Sequence, residues 1–256
     1  WALIEPLLPP WPARSPGPRP VPDRLCLHGI LFVLHTGSGW EDLPQELGYG
    51  SGMTCWRRLR GWTDAGVFDR LHRLLLAELN AAGRIDWSRA FVDGGHITAK
   101  KGEGTVNRGK PSSKHHVITD GAGTPLKVIT TGGDVPDVSR GGEPARRRTA
   151  HRRTTGRPRR RFPVLLADKG YDGARFRNAC QQRQTEPIIP PRGRKTIKGL
   201  GRLRYVVEQC IALLHQFRRL AIRWERHIDL HEAHSQPRLR AHPLATSVQA
   251  NHLKIV

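Results

Sequence analysis

Two periods run along the chain. Between residues 23 and 83 apolar positions recur every three or four residues, the spacing that gathers them on one face of an α-helix. Asp23 stands where an N-cap belongs and opens "RLCLHGILFVLHTG", apolar almost all round and closed by Gly37, which predicts a helix buried inside a small domain. In "MTCWRRLRGWTDAG" Cys55, Trp56, Leu59 and Trp62 fall at helical spacing while Arg57, Arg58 and Arg60 project elsewhere. "VFDRLHRLLLAELNAAG" is another amphipathic helix, ended by Gly83. From residue 89 the pattern becomes short β-branched runs punctuated by Gly and Asp: "RAFVDGGHITA", "HHVITD", "PLKVITTGG" and "FPVLLADKGYD". The middle pair, joined by "DGAG", reads as a hairpin. Helical spacing returns in "ARFRNACQQR" and, over a longer stretch, in "RLRYVVEQCIALLHQFRRLAIRWER", where Val206, Cys210, Leu213, Leu214 and Phe217 share a face. Strand, hairpin, strand, helix, helix predicts an α/β (α+β) layer preceded by a small all-helical domain.

Three segments break both periods. The chain opens on Trp1 in an apolar "WALIEPLL" that reads as half a helix, so its natural start is expected to be missing. Seven prolines from Pro9 to Pro22 follow and predict an extended linker. Between Arg146 and Arg161 stand nine arginines and one histidine with no acid, too little apolar surface to fold, so 139–161 is expected to be a disordered basic insertion. The tail 234–256 has no sustained period. The predicted division is therefore 1–22 partial helix and linker, 23–83 helical domain, 84–233 sheet-and-helix domain and 234–256 irregular tail.

Charge then narrows the partners. Lysine and arginine number 43 against 22 acids, a net charge of +21, which points to a polyanion, nucleic acid by default. No apolar run approaches the roughly 20 residues of a spanning helix, so a cytoplasmic, nucleoid-associated protein with no membrane partner is expected. Cys26, Cys55, Cys180 and Cys210 lie too far apart for a zinc knuckle and read as reduced buried thiols.

Three acids stand out by context. Asp93 follows Phe91 and Val92 of the first strand, Asp168 ends the apolar Leu165–Leu166–Ala167, and Glu208 sits beside Val206 and Val207 on the last helix. A carboxylate half sunk in apolar surroundings costs several kcal/mol unless a cation pairs with it, so arginine or a metal is expected nearby. Three acids from separate elements can converge on two divalent ions, and an all-oxygen site suits Mg2+ or Mn2+. Asp137 and Asp172 are second-rank candidates that read better as turn residues. "GTVNRGK" fits a phosphate-binding loop except that Pro111 stands where Ser or Thr belongs, and it is rejected. His227, His231 and His234 could share a helix face but are expected at the surface.

These same residues carry a resemblance. "FVDGGHITAKKG", "NRGKPSSKHHVITDGAGTPL", "LLADKGYD" and "RLRYVVEQCIALLHQFRRLAIRWER" resemble the DDE transposases of bacterial insertion sequences, and "IEPLLPP" with "LHGILFVLHTGSGWEDLP" is similar to their N-terminal DNA-binding region. The resemblance covers about 1–138 and 162–233. It implies a ribonuclease-H-like mixed sheet flanked by helices, a helix-turn-helix-like DNA reader before it, and Asp93, Asp168 and Glu208 as the catalytic, metal-binding acids. Related enzymes carry Y-x2-R-x3-E-x6-K around the third acid; here Arg204-x3-Glu208 fits, whereas Gly201 and His215 hold the tyrosine and lysine positions. Tyr205, Arg202, Arg218 and Arg219 stand close by as substitutes.

The expected activity is transposition: cleavage of the 3′ strand at transposon ends and attack of the freed hydroxyl on target DNA. Partners are double-stranded DNA, as terminal inverted repeats and as target, and a homodimer is compatible. Candidate DNA contacts are Arg57, Arg58, Arg60, Lys100, Lys101, Lys110, Lys114, Arg204, Arg218 and Arg219. Two alternatives stand beside this reading: a ribonuclease-H-like nuclease without strand transfer, and a catalytically dead DNA-binding remnant whose arginine run and tail reflect a local frame shift.

Overall fold

A computed structural model describes residues 1–11, 20–100, 106–107, 110–135, 162–193 and 200–235. The expectations for 139–161 and 236–256, and most of the proline-rich linker, lie outside them. The opening apolar segment forms a single 3₁₀ turn, Glu5–Leu7, with Pro6 near its start.

Three helices follow: α1 (Asp23–Thr36), α2 (Gly52–Asp64) and α3 (Val67–Ala81). Gly37 ends α1 in the left-handed region at φ 75°, where a side chain would be strained. Asp23 does not cap α1; its carboxylate pairs with Arg58 and accepts from the Trp11 indole at 3.2 Å. The capping duty in this region falls to Ser51, whose hydroxyl accepts the Thr54 amide of α2 at 3.2 Å. Cys26, Ile30, Cys55, Leu59, Trp62 and Phe68 form the core between the three helices. All four cysteines are buried free thiols.

The sheet is built around β1 (Ala90–Ala99). Antiparallel β3 (Lys110–Asp120) lies on one edge of β1, with β4 (Pro125–Gly132) and the two-residue β2 (Val106–Asn107) beyond it. Parallel β5 (Val164–Ala167) lies on the other edge and leads to β6 (Glu186–Ile188), after α4 (Ala174–Gln181). The β3–β4 hairpin turns where the Asp-Gly signal predicted. Asp120 organises it: one carboxylate oxygen accepts the Ala122 and Thr124 amides, at 3.0 and 2.7 Å, and the other accepts the Asp86 amide at 2.9 Å.

The long C-terminal helix is shorter than its periodicity predicts. Helix α5 (Leu200–His215) stops, and Phe217 takes extended backbone angles. The chain continues as the one-turn α6 (Arg218–Ala221) and as β7 (Ile222–Arg223), which pairs with the far end of β1. Sheet pairing and the packing of Phe217 among the sheet's hydrophobics override helical propensity there. A last helix, α7 (Ile228–Ser235), includes residues 234 and 235 of the expected irregular tail.

Alternation sorts β1 and β5 between the two faces of the sheet. Phe91 and Leu166 pack under Val207, Cys210 and Leu214 of α5, and burying each large apolar side chain there contributes about 1.5–3 kcal/mol. Val92 and Ala167 pack on the opposite face with Tyr171 and Phe176. The residues that follow them, Asp93 and Asp168, are thereby turned back toward α5.

Candidate active site

Register brings the first two acids together. Val92 lies opposite Ala167 on neighbouring parallel strands, and the next residue on each chain segment is an aspartate. Each carboxylate is held by a backbone amide just after it: within β1 the Gly94 amide donates to Asp93 Oδ1 at 2.8 Å, and in the turn after β5 the Gly170 amide donates to Asp168 Oδ1. Helix α5 crosses the same face and supplies the third acid. One turn of helix separates Arg204 from Glu208, so both side chains reach the same end of the sheet. Arg204 Nη2 lies 2.9 Å from Asp93 Oδ2 and 3.5 Å from Glu208 Oε1.

Charge explains the arrangement. Asp93 is nearly buried, its side chain 11% exposed, so its charge requires a counterion. Burial opposes the positive charge of Arg204; the Asp93 hydrogen bond and the charges of Asp93, Asp168 and Glu208 outweigh it and hold the guanidinium pKa above its ordinary value. Glu208 lies further out than Asp93: its side chain is 53% exposed, on the open rim of the site. Among the described residues no group of three His, Cys, Asp or Glu side chains is drawn close enough to hold a metal ion as it stands. Arg204 occupies the middle of the acids instead.

The basic candidates divide sharply. Arg57 and Lys100 are exposed. Arg58 belongs to the fold, paired with Asp23 and with its guanidinium 3.7 Å from the centre of the Trp11 ring. Arg60 is engaged at the surface by Asp64 at 3.3 Å and Asp229 at 3.8 Å. Lys114 is a correction: it is 7% exposed, with its ammonium 3.5 Å from the Val135 carbonyl, so β3 turns it inward away from any phosphate. Arg219 is another, 4% exposed, 3.4 Å from Glu225 and donating to the Ser38 carbonyl. Arg204 serves the acids. Arg218 is exposed, and its side-chain base lies against Gly37. Lys101 and the Lys110 side chain lie outside the described residues.

Two groups escaped the sequence. His231 and His234 are buried, 0% and 1% exposed, rather than at the surface. His231 Nε2 lies 2.8 Å from His115 Nε2, and Glu225 lies 3.6 Å from its other nitrogen. His116 on β3 is also buried, bonded to Tyr171 and Thr131. The "HH" of β3 was visible as a strand, but nothing local says that both rings are covered.

Two family profiles together match most of the chain. The transposase DDE domain profile matches residues 84–233, more than half of the chain, and the profile described as putative transposase of IS4/5 family matches residues 1–72. A Burkholderia cepacia protein described as the insertion element IS402 uncharacterized 16.2 kDa protein is 63% identical over 102 residues, 39% of this chain and 69% of its own length. The putative transposase for insertion sequence element IS402, also from Burkholderia cepacia, is 44% identical over 134 residues, 52% of this chain and 64% of its own length. Among solved structures, the Mos1 strand transfer complex aligns at a TM-score of 0.28 and 11% identity, covering 93% of this chain and 81% of that one. With neighbouring aspartates at the ends of parallel strands and a glutamate brought over them by a helix, on a mixed sheet flanked by helices, the chain belongs to the DDE transposases, and its first 72 residues match the IS4/5 family profile.

Proposed function

We propose that this chain is the transposase of its insertion sequence, cleaving the 3′ strand at the element's ends and joining the freed 3′-hydroxyl to target DNA. The observation that carries the reading is the register of β1 and β5, which sets Asp93 beside Asp168 on the face that α5 crosses with Arg204 and Glu208.

The donor set fits divalent cations: three carboxylates, all oxygen, gathered round one positive charge. Two Mg2+ or Mn2+ ions held by Asp93, Asp168 and Glu208 would activate the attacking water or hydroxyl and steady the departing oxygen. The chain's own groups prepare that site. The Gly94 and Gly170 amides fix one oxygen of each aspartate, and Arg204 holds the other oxygen of Asp93. Arg204 offsets the repulsion among the acids, and Asp93 Oδ2 becomes available as a ligand when the guanidinium turns away toward the exposed Glu208 or a DNA phosphate. Residues 23–83 are assigned to reading the ends and 84–233 to the chemistry. Exposed Arg57, Lys100 and Arg218 are the remaining described phosphate contacts, joined by Lys101, Lys110 and the 139–161 run.

The test is cleavage of a supercoiled plasmid bearing the element's own ends, with Mg2+ or Mn2+, by this protein and by Asp168→Asn, both checked for fold by circular dichroism. Nicking at the ends that needs the metal and is lost in the variant is the expected outcome. Equal cleavage by both proteins would sink the assignment. Nicking without joining marks a nuclease, and DNA binding without cleavage in either protein marks a remnant.

A further inference from the structure

The second acid is held from behind. Asp168 opens the 3₁₀ turn Lys169–Tyr171; the Gly170 amide donates to its carboxylate, and the Tyr171 amide donates to its carbonyl at 3.1 Å. The direction of the Asp168 side chain therefore follows the turn, and the turn follows Tyr171. That ring is fully buried on the face opposite the acids, packed with Val92, Ala167 and Phe176.

Its hydroxyl reaches across the sheet. Tyr171 Oη lies 3.0 Å from His116 Nδ1, and His116 Nε2 lies 3.0 Å from Thr131 Oγ1. The Thr131 hydroxyl donates to the Gly132 carbonyl at 3.2 Å, so its oxygen is left to accept from His116. His116 then carries its proton on Nε2, and Nδ1 accepts from the tyrosine. With that tautomer the donors run Tyr171, His116, Thr131, Gly132 in one direction. His116 is 2% exposed and lies opposite Gly94, the residue after Asp93, so one side chain ties the turn of the second acid to the strand beside the first.

We propose that His116 is a positioning residue for the metal-binding pair: through Tyr171 it fixes the turn that aims Asp168 at Asp93. This rests on the transposase reading above, since it gives a role within that same site. Groups hydrogen-bonded directly to a metal ligand change metal affinity by about 10- to 100-fold when removed, and Tyr171, which acts on Asp168 through the turn, falls at the lower end of that range.

Tyr171→Phe removes one hydroxyl and keeps the ring, so the packing survives. Three quantities are measured on each folded protein: exchange of the Gly170 amide by NMR, Mn2+ binding to the protein without DNA, and end cleavage across a range of DNA concentrations up to saturation. In Tyr171→Phe the Gly170 amide should exchange faster while amides of β1 and β3 do not, Mn2+ binding should weaken about 10-fold or more, and kcat should fall at unchanged KM for DNA. His116→Ala should behave alike, and His116→Asn, whose side-chain oxygen can take the place of Nδ1, should recover most of the loss. A folded Tyr171→Phe with wild-type Gly170 exchange and Mn2+ affinity would overturn the proposal, whatever its melting temperature. If the wild-type protein neither binds Mn2+ nor cleaves, the transposase chemistry fails separately: faster Gly170 exchange in the variant would still uphold the positioning of Asp168, and unchanged exchange would overturn it.

Discussion

At the scale of single residues, Arg204 shows how one side chain can serve fold and site together. Its guanidinium is the partner of the Asp93 carboxylate, whose side chain is 11% exposed, and it reaches Glu208 from the same atom. Arg204→Ala should therefore destabilise the protein by about 1–3 kcal/mol, because a nearly buried carboxylate loses its partner. For a protein of this size that is a fall of about 2–4 °C in Tm per kcal/mol. Thermal unfolding in EDTA would reveal the loss, and Mg2+ should raise the Tm of the variant more than that of the wild type, since a cation can take the vacated place. An equal response to Mg2+ in the two proteins would argue against a site among these acids. The acids were legible in the sequence because a carboxylate after an apolar strand is locally anomalous. The roles of the arginines were not, because Arg57, Arg58, Arg60 and Arg219 look alike until Asp23, Trp11, Glu225 and the Ser38 carbonyl arrive from distant segments.

At the scale of elements, the approach of α5 to β1 decides whether the third acid meets the other two. Gly95, two residues after Asp93, allows that approach: a Cβ there would lie 2.9 Å from Ile211 Cγ2 and 3.5 Å from the His215 ring. Gly95→Val should push α5 outward and cost about 1–3 kcal/mol of stability as an overpacked contact. On the transposase reading it should also lower end cleavage more than end binding, measured in parallel by nicking and by gel shift. Gly61 in the middle of α2 supplies the contrast, since nothing lies within 4 Å of its missing Cβ. Gly61→Ala should raise stability by about 0.5–1 kcal/mol through helix propensity alone. Denaturant titration of both variants checks the pair of signs. The strands, the hairpin and most helices were readable from period and punctuation. The end of α5 was not, because "HQFRRLAIRWER" keeps a helical period through a segment that pairs with Thr98 and Ala99 instead.

At the scale of the molecule, helix α7 joins the two layers. Leu230 and Ala233 complete the core of the N-terminal helices, and the Glu232 carboxylate accepts the Thr130 amide of β4 at 2.6 Å. Behind it lies a buried polar cluster that the sequence could not reveal, because its members come from separate segments: His115 of β3, with the half-buried His215 of α5 beside it, Arg219, Arg223 and Glu225 around β7, and His231 and His234 of α7. Burial pushes His231 and His215 below the ordinary histidine pKa. Burial works against the Glu225 carboxylate, but the His231 hydrogen bond with the charges of His234 and Arg219 holds it down at about 2, so it stays ionised through mild acid. The sign of the pH dependence follows. Folding keeps the two histidines neutral where the unfolded chain protonates them, so the unfolded state binds more protons below about pH 6.5. Their contribution is complete above that pH and is lost as pH falls through the depressed folded values, at up to about 1.4 kcal/mol per pH unit for each histidine. Denaturant unfolding at pH 8, 7, 6 and 5 should show a plateau followed by a decline, and His231→Asn should flatten the decline even if its plateau is lower. Stability that stays level from pH 7 to 5 in the wild-type protein would mean that these rings accept protons without opening the joint between helices and sheet.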